Sequence, residues 1–247
     1  MNAKGLRVLV TGGHKNIGQG IAKAFADAGA RVAVMAQSAA AAESVARSLG
    51  TGAVGMAGDV RSDADWARVL ESVTSAFGGL DCLVNNGGIE TTKPLVDMGE
   101  SEWDDLMDTN IKGVWRGVRQ SVGHLAKSPR ASIVNLASAA GHVAVPLMGA
   151  YGATKAAVMQ MTRVLAVELR ILKIRTNAVC PGFIDTEIGR SGFAPLESLG
   201  IPLEEMIAYR QGRLGRAEEV AEACVFLSHA SFINGQCIFV DGGASAS

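Results

Sequence analysis

The sequence predicts a single α/β domain built on a doubly wound parallel sheet of about seven strands, with helices on both faces. A chain of 247 residues suits one large domain. Hydrophobic residues make up 48% of it, which is enough for a large core. Short, continuous apolar runs alternate with longer amphipathic stretches along the whole chain. No shift in composition marks a second domain, so we expect residues 1–247 to form one unit.

The predicted strands are short runs rich in Val, Ile and Leu, as in parallel sheets covered on both faces. In chain order they occupy residues 7–11, 31–36, 53–58, 81–85, 132–137, 175–179 and 237–240. Amphipathic patterns between them predict helices at residues 17–28, 39–49, 63–77, 101–127, 151–172 and 217–227. Residues 183–211 are the least regular stretch and are rich in Gly and Pro, which predicts a mobile substrate lid.

A glycine-rich turn joins the first predicted strand to the first predicted helix. Such a turn exposes backbone N–H groups at the start of a helix, where phosphate groups bind. Its position on the first strand of an alternating α/β chain favours a dinucleotide site. The predicted contacts are Gly12, His14, Lys15, Asn16, Ile17 and Gly18.

The choice of dinucleotide depends on the end of the second strand. NAD-binding folds often carry an acidic residue there, which holds the ribose 2′-hydroxyl. Here the strand ends in Ala36, Gln37 and Ser38, with no acid, while Lys15 supplies a cation in the glycine turn. The pattern predicts a preference for NADP(H), with NAD(H) possible.

Three further residues indicate proton chemistry. Tyr151 and Lys155 are four apart, and therefore share one face of a helix. A nearby ammonium group lowers the pKa of a phenol. Ser138, thirteen residues before the tyrosine, can hydrogen-bond the same substrate oxygen. The set suits the transfer of a proton to or from an alcohol oxygen.

Taken together, these motifs resemble those of the short-chain dehydrogenase/reductase family, over the whole chain. The glycine motif spans Thr11 to Gly18, although the family's middle glycine is Asn16, a residue that tolerates left-handed backbone angles. The family's NNAG turn corresponds to Asn85–Gly88, with Gly87 in place of alanine. The other matching residues are Asp59, Val60, Asn86, Asn110, Ser138, Tyr151, Lys155, Pro181, Gly182, Ile184, Thr186 and the 240–243 turn.

The resemblance implies a Rossmann-type fold and specific roles. Tyr151 would donate a proton to a carbonyl oxygen that Ser138 orients. Lys155 would lower the tyrosine pKa and hold the nicotinamide ribose, and Asn110 would anchor a water molecule. Asp59 and Val60 would meet the adenine ring. Asn86, Gly87, Pro181, Gly182, Ile184 and Thr186 would contact the cofactor, together with Tyr151 and Lys155.

The family resemblance leaves the substrate open. The chain looks closest to 3-oxoacyl-thioester reductases, and a sugar, polyol or hydroxysteroid dehydrogenase is the alternative. Glu90 matches an acidic position of glucose dehydrogenases, but we interpret it as a solvated loop acid. Relatives of this type are commonly homotetramers, and some chains of this fold only bind a dinucleotide and regulate. We expect the substrate pocket to include His142, Val143, Met148, Ile184 and Phe193.

Composition excludes several other classes of function. The net charge is −1 and no basic run indicates nucleic acid or a membrane surface. Residues 131–154 lack charged side chains before Lys155, but their Gly, Pro and polar content argues against a membrane helix. The four cysteines and four histidines show no metal-ligand spacing. We therefore expect a soluble, cytoplasmic protein with no metal, nucleic-acid or membrane partner.

Overall fold

A computed structural model describes residues 3–50, 52–187, 190, 193–200 and 202–246. In that part of the chain, seven parallel strands form one sheet in the order β3-β2-β1-β4-β5-β6-β7. The strands are β1 Arg7–Thr11, β2 Arg31–Ala36, β3 Val54–Ala57, β4 Cys82–Asn85, β5 Ser132–Leu136, β6 Arg175–Pro181 and β7 Cys237–Val240.

Helices cover both faces of the sheet, as predicted. They are α1 Asn16–Asp27, α2 Ala39–Ser48, α3 Asp63–Phe77, α4 Glu100–Leu106, α5 Gly113–Leu125, α6 Gly149–Glu168, α7 Phe193–Glu197, α8 Leu203–Gln211 and α9 Ala217–His229. No helix among the described residues is long and apolar enough to cross a bilayer.

The strand order reverses at the centre of the sheet. From β1 the chain moves outward to β3, then returns to β4 and moves outward again to β7. Val8 of β1 pairs with Val32 of β2 on one side and with Cys82 of β4 on the other. Ligands of such sheets bind beyond the carboxyl ends of the strands where the order reverses, here between β1 and β4.

Alternating side chains of the strands build one core on each face. Val8 and Val10 pack with α1, α2 and α9 on one face. Leu9 packs with α3 and α5 on the other, around the fully buried Trp66. The Trp66 indole N–H is satisfied by the Val60 carbonyl at 3.0 Å. The two cores explain why the strands are apolar along their whole length.

Two predicted segments differ from the structure. The predicted helix at 101–127 is divided by a π-helical turn over Met107–Lys112, with α4 before it and α5 after it. The lid segment at 183–211 carries two short helices, α7 and α8. Residues 188, 189, 191, 192 and 201 of that segment lie outside the described residues.

Candidate active site

A cavity of about 580 Å³ lies at the carboxyl ends of the central strands. Its walls come from the glycine turn, the loop after β4, the segment after β5, helix α6 and the lid. Most of the predicted site residues line it: Gly12, His14, Lys15, Asn16, Ile17, Gly18, Asn86, Gly87, Ser138, Tyr151, Lys155, Pro181, Gly182, Ile184 and Thr186. Gln37, Asp59, Val60 and Asn110 do not belong to this lining.

Three of the residues outside the lining, Gln37, Asp59 and Val60, lie just after the ends of β2 and β3. The exposed Gln37 donates to the Asp59 carboxylate at 3.2 Å, and Arg61 approaches the same carboxylate to 2.8 Å. The guanidinium of Arg61 is the main reason that the Asp59 pKa is lowered. A methyl group of Val60 lies within 3.2 Å of where a side chain on Gly87 would begin.

Hydrogen bonds join the glycine turn to the loop after β4. The Asn86 side-chain amide donates to the carbonyls of Thr11 and Gly12, at 3.0 and 3.2 Å. The Thr11 hydroxyl accepts from the backbone N–H groups of Asn86 and Gly87, at 3.0 and 2.9 Å. A Cβ atom on Gly18 would collide with the Gly12 carbonyl and the Asn86 amide. Gly18 is therefore needed for this close approach.

The residue that replaces the family's middle glycine adopts a glycine-like conformation. Asn16 has φ 51°, in the left-handed region that asparagine tolerates. Its buried Nδ2, and Nδ1 of His14, have no partner in the described part of the chain. His14 lies in the turn before helix α1 and Asn16 is the first residue of that helix, where the backbone N–H groups favour a phosphate. Unpaired polar atoms beside a helix N-terminus fit the diphosphate of a dinucleotide.

The candidate catalytic residues come from two neighbouring elements. Ser138 follows β5, and its hydroxyl accepts from the Ala140 N–H at 3.2 Å. Tyr151 lies in the first turn of α6, and Lys155 follows one turn later. The buried Lys155 ammonium donates to the Leu136 carbonyl at 2.8 Å and lies 5.5 Å from the centre of the Tyr151 ring.

The pKa of Tyr151 is raised, whereas the sequence analysis expected Lys155 to lower it. Burial raises it, the charge of Glu90 raises it further, and the Ser138 hydroxyl opposes them only in part. Burial also lowers the pKa of Lys155, to about 8. The expected lowering by Lys155 is not found because both groups are removed from water and the ammonium binds Leu136.

Asn110 lies in the π-helical turn, beside the cavity wall. Its amide donates to the Ile89 carbonyl at 2.8 Å and to the Thr154 hydroxyl at 3.1 Å. Its side-chain oxygen accepts from the Ile89 N–H at 2.9 Å. Asn110 therefore fixes the loop after β4 against helix α6, on which Thr154 lies between Tyr151 and Lys155.

Glu90 lines the site, although the sequence interpretation favoured a solvated loop acid over a substrate contact for this residue. Its side chain is half-buried and lines the cavity together with Tyr151 and Lys155. Burial raises its pKa to about 7, against the opposing charge of Lys155. The interpretation of Glu90 as a solvated loop acid is therefore wrong. Its position after the Asn86–Gly88 turn, at the carboxyl end of a buried strand, was the available signal.

The rest of the cavity is largely apolar. Four of the five predicted pocket residues line it, namely Val143, Met148, Ile184 and Phe193. His142 does not, because it is exposed and its ring lies 5.2 Å from that of Phe239. The lid segment predicted at 183–211 adds five residues that the sequence did not single out: Leu196, Met206, Ile207, Arg210 and Gln211. No group of three or more potential metal ligands occurs among the described residues.

The chain is similar to known proteins over almost its whole length. A family model described as enoyl-(acyl carrier protein) reductase matches residues 12–245. The chain is 35% identical to the 3-oxoacyl-[acyl-carrier-protein] reductase FabG of Vibrio cholerae over 245 residues, which cover 98% of each chain. It is 34% identical to 2-(S)-hydroxypropyl-CoM dehydrogenase 3 of Xanthobacter autotrophicus, over 97% of this chain and 96% of that one.

Solved structures show the same fold. A putative short-chain alcohol dehydrogenase from Sinorhizobium meliloti superposes with a TM-score of 0.90 at 37% identity, covering 100% of this chain and 98% of the other. The 3-ketoacyl-(acyl-carrier-protein) reductase of Brucella melitensis, complexed with NADH, also gives 0.90 at 32% identity, with coverage of 99% and 100%. The chain belongs to the short-chain dehydrogenase/reductase family, and it is an oxidoreductase that interconverts alcohol and carbonyl groups with a nicotinamide dinucleotide.

Proposed function

We propose that this protein reduces a ketone with an apolar body, such as a 3-oxoacyl thioester, using NADP(H). The observation that carries the proposal is one cavity that holds Ser138, Tyr151 and Lys155 and is otherwise lined mainly by apolar side chains. An apolar wall suits an acyl chain better than a sugar, whose hydroxyl groups need hydrogen-bond partners. Relatives named as 3-oxoacyl reductases support the same substrate class.

The reaction would use three side chains. The bound nicotinamide supplies the hydride. The Tyr151 phenol donates its proton to the carbonyl oxygen, and the Ser138 hydroxyl hydrogen-bonds the same oxygen and orients it. A phenol is protonated at neutral pH, and burial raises the pKa of Tyr151 further, so reduction starts from the form that can donate the proton. The charge of Lys155 stabilises the phenolate that forms.

The dinucleotide would be held by the glycine turn and by the loops at the ends of β3, β4 and β6. Lys15, exposed at the N-cap of α1, would bind the 2′-phosphate of NADP(H). Gln37 and Asp59 are hydrogen-bonded to each other and, together with Val60, would lie at the adenosine end of the cofactor. Asn86, Gly87, Pro181, Gly182, Ile184 and Thr186 would border the remainder of the cofactor, and Lys155 its nicotinamide ribose.

Residues 183–211 would act as the lid of this site. Helices α7 and α8 pack on each other through Leu196, Leu203 and Ile207. Leu196 and Ile207 also face the cavity, so the lid contributes directly to its apolar wall. A movement of the two helices would admit the substrate and then exclude water.

A polyol or hydroxysteroid dehydrogenase is the second candidate, and Glu90 is the observation that favours a polyol. A half-buried carboxylate near Tyr151 would accept hydrogen bonds from substrate hydroxyl groups. Oxidation of polyols that exceeds reduction of thioesters would support this candidate. A purely regulatory dinucleotide-binding protein would show no turnover of any carbonyl compound.

We also infer a homotetramer. Helices α4, α5 and α6 expose large apolar side chains, which an interface between subunits would cover. Trp115 and Val164 are both 44% exposed, and Val167 is 65% exposed. A single species with four times the 25.6 kDa chain mass in light scattering would support this assembly, and a monomer would contradict it.

The first experiment follows the absorbance of NADPH and NADH, at matched concentrations, with acetoacetyl-CoA as the substrate. NADPH oxidation that NADH does not match would support both the thioester substrate and the cofactor preference. The Tyr151→Phe variant measures the background rate. Cofactor binding without thioester turnover would reject the substrate class and leave the family assignment unchanged.

A further inference from the structure

Glu90 has an unusual setting for a carboxylate. It follows the turn after β4, is half-buried, and lines a mostly apolar cavity. In the described part of the chain no side chain forms a hydrogen bond or an ion pair with it. The charge of a carboxylate in a largely apolar wall acts more strongly on neighbouring groups than that of a carboxylate in open water.

The backbone before Glu90 is fixed relative to helix α6. Asn110 binds both the N–H and the carbonyl of Ile89, at 2.9 and 2.8 Å. The same Asn110 amide donates to Thr154, which lies on α6 between Tyr151 and Lys155. The loop also approaches the lysine closely, since a Cβ atom on Gly88 would lie 3.7 Å from Lys155 Nζ. Glu90 is thus held at a defined place beside the tyrosine and the lysine.

The charges in this part of the site affect one another. The charge of Glu90 raises the pKa of Tyr151, after the larger effect of burial. It also offsets part of the lowering that burial causes in the pKa of Lys155. Lys155 in turn lowers the pKa of Glu90, against burial. The titratable groups lining the cavity with Glu90 are Tyr151 and Lys155 of α6, His14 and Lys15 of the glycine turn, and Arg210 of α8.

We propose that Glu90 is a positioning residue of the reaction, whose negative charge keeps the proton on Tyr151 and the charge on Lys155. This inference rests on the proposed roles of those two residues. Glu90 acts through them and does not itself exchange a proton with the substrate. Its ionised form disfavours the phenolate, and so extends to higher pH the range in which Tyr151 carries the proton that it donates in reduction. Loss of its charge makes the phenolate easier to form, which favours alcohol oxidation at a lower pH.

The first test needs neither substrate nor cofactor. In protein labelled with ¹³C at the glutamate carboxyl carbons, one resonance should titrate with a midpoint of about 7 and be absent from Glu90→Gln. Glu100→Gln, which removes an exposed carboxylate at the start of α4, is the matched control and should retain that resonance. If no Glu90 resonance titrates above the ordinary carboxyl range, the proposal is overturned.

The second test follows Tyr151 directly. The chain has two tyrosines, and Tyr209 is 89% exposed, so Tyr209→Phe leaves Tyr151 as the single phenol. In that background, Glu90→Gln should bring the tyrosinate absorbance to a pH lower by about one unit. Tyrosinate that appears at the same pH in both proteins would overturn the proposal. This result is independent of which substrate the enzyme reduces.

The third test uses turnover. With acetoacetyl-CoA, the alkaline limb of the kcat/KM profile for reduction should move to lower pH by about one unit in Glu90→Gln, and not in Glu100→Gln. Glu90→Asp should restore most of the wild-type profile, since it keeps the charge. A Glu90→Gln enzyme that loses rate equally at every pH would show a structural role and overturn the proposal. Lack of turnover in the wild type would instead reject the thioester substrate, and the two cofactor-free titrations would still decide the role of Glu90.

Discussion

Asn110 in the π-helical turn donates a hydrogen bond to Thr154 of helix α6, at 3.1 Å. This bond connects the loop after β4 with the helix that carries Tyr151 and Lys155, because Asn110 also binds both polar backbone groups of Ile89. The Thr154 hydroxyl donates in turn to the Tyr151 carbonyl at 2.7 Å. π-Helical turns are rare and occur frequently at functional sites. Here the turn places one buried amide between two walls of the cavity.

Replacing Tyr151 by Phe should remove most of the turnover and leave cofactor binding nearly intact. The change deletes the hydroxyl that transfers the proton, and general acid catalysis contributes roughly 10²–10⁴-fold to rates. Steady-state kinetics and NADPH fluorescence titration measure the two effects. Tyr209→Phe, on the exposed face of α8, should behave as the wild type. Turnover retained within a few-fold in Tyr151→Phe would contradict the mechanism.

Lys15→Ala should weaken the binding of NADPH by about tenfold and change NADH binding little. A hydrogen bond to a charged group contributes about 1.5–3 kcal/mol, and the lysine has that partner only when a 2′-phosphate is present. Fluorescence titrations with both cofactors provide the comparison. Lys23→Ala, which removes a cation paired with Asp27 on the surface of α1, is the control. An equal loss for both cofactors would refute the assignment of Lys15 to the 2′-phosphate.

Gly18→Ala should destabilise the protein by about 1–3 kcal/mol and strongly reduce dinucleotide binding. The added methyl group would overlap the Gly12 carbonyl and the Asn86 amide, so the glycine turn and the β4 loop would have to separate. Urea denaturation and cofactor titration measure these effects. Gly123→Ala is the matched control, because its Cβ atom would enter open space on helix α5. There the change should stabilise the protein by up to about 1 kcal/mol.

Asp81→Asn should lower stability at neutral pH by about 2–4 kcal/mol, and the difference should become smaller in acid. Burial raises the Asp81 pKa, but hydrogen bonds from Arg7 and Ser128 outweigh it and lower the pKa overall. A carboxyl group with a lowered pKa stabilises the fold above its unfolded pKa, about 3.9, and loses that contribution as the pH falls through the folded value.

Urea denaturation at about pH 7 and about pH 3 tests this prediction about Asp81. Asp27→Asn is the control, because that carboxylate forms only an exposed pair with Lys23 and should have little effect at either pH. A difference between wild type and Asp81→Asn that is equal at both pH values would show that the effect comes from packing and not from charge.

The sequence predicted the sheet well because each strand is apolar on both faces. The residues of the glycine turn were predicted because their chemistry is local: Gly12 and Gly18 lie within a few positions of each other. The π-helical turn over Met107–Lys112 was missed. A π-helical turn holds about one residue more than an α-helical turn, and the amphipathic pattern continues through this segment without showing it.

The burial of Glu90 was missed for a different reason. It depends on walls contributed by α6 and the lid, which are distant in sequence. The raised pKa of Tyr151 was not predicted for the same reason. The spacing of Tyr151 and Lys155 shows that they are close together, but not how far the surrounding walls remove both groups from water. His142 was placed in the pocket by its neighbours in sequence, whereas Phe239, nearly a hundred positions later, holds its ring elsewhere.

The pairing of β1 with β4 has a consequence for synthesis of the protein on the ribosome. Val8 and Cys82 are partners, so one edge of β1 stays open until the chain has grown by more than 70 residues. At about 5–20 residues per second, this interval lasts on the order of 4–15 s. Throughout it, the nascent chain exposes an apolar strand edge that can pair with other chains. Fragments that end before β4 should therefore aggregate, and expression at low temperature with a chaperone should raise the soluble yield.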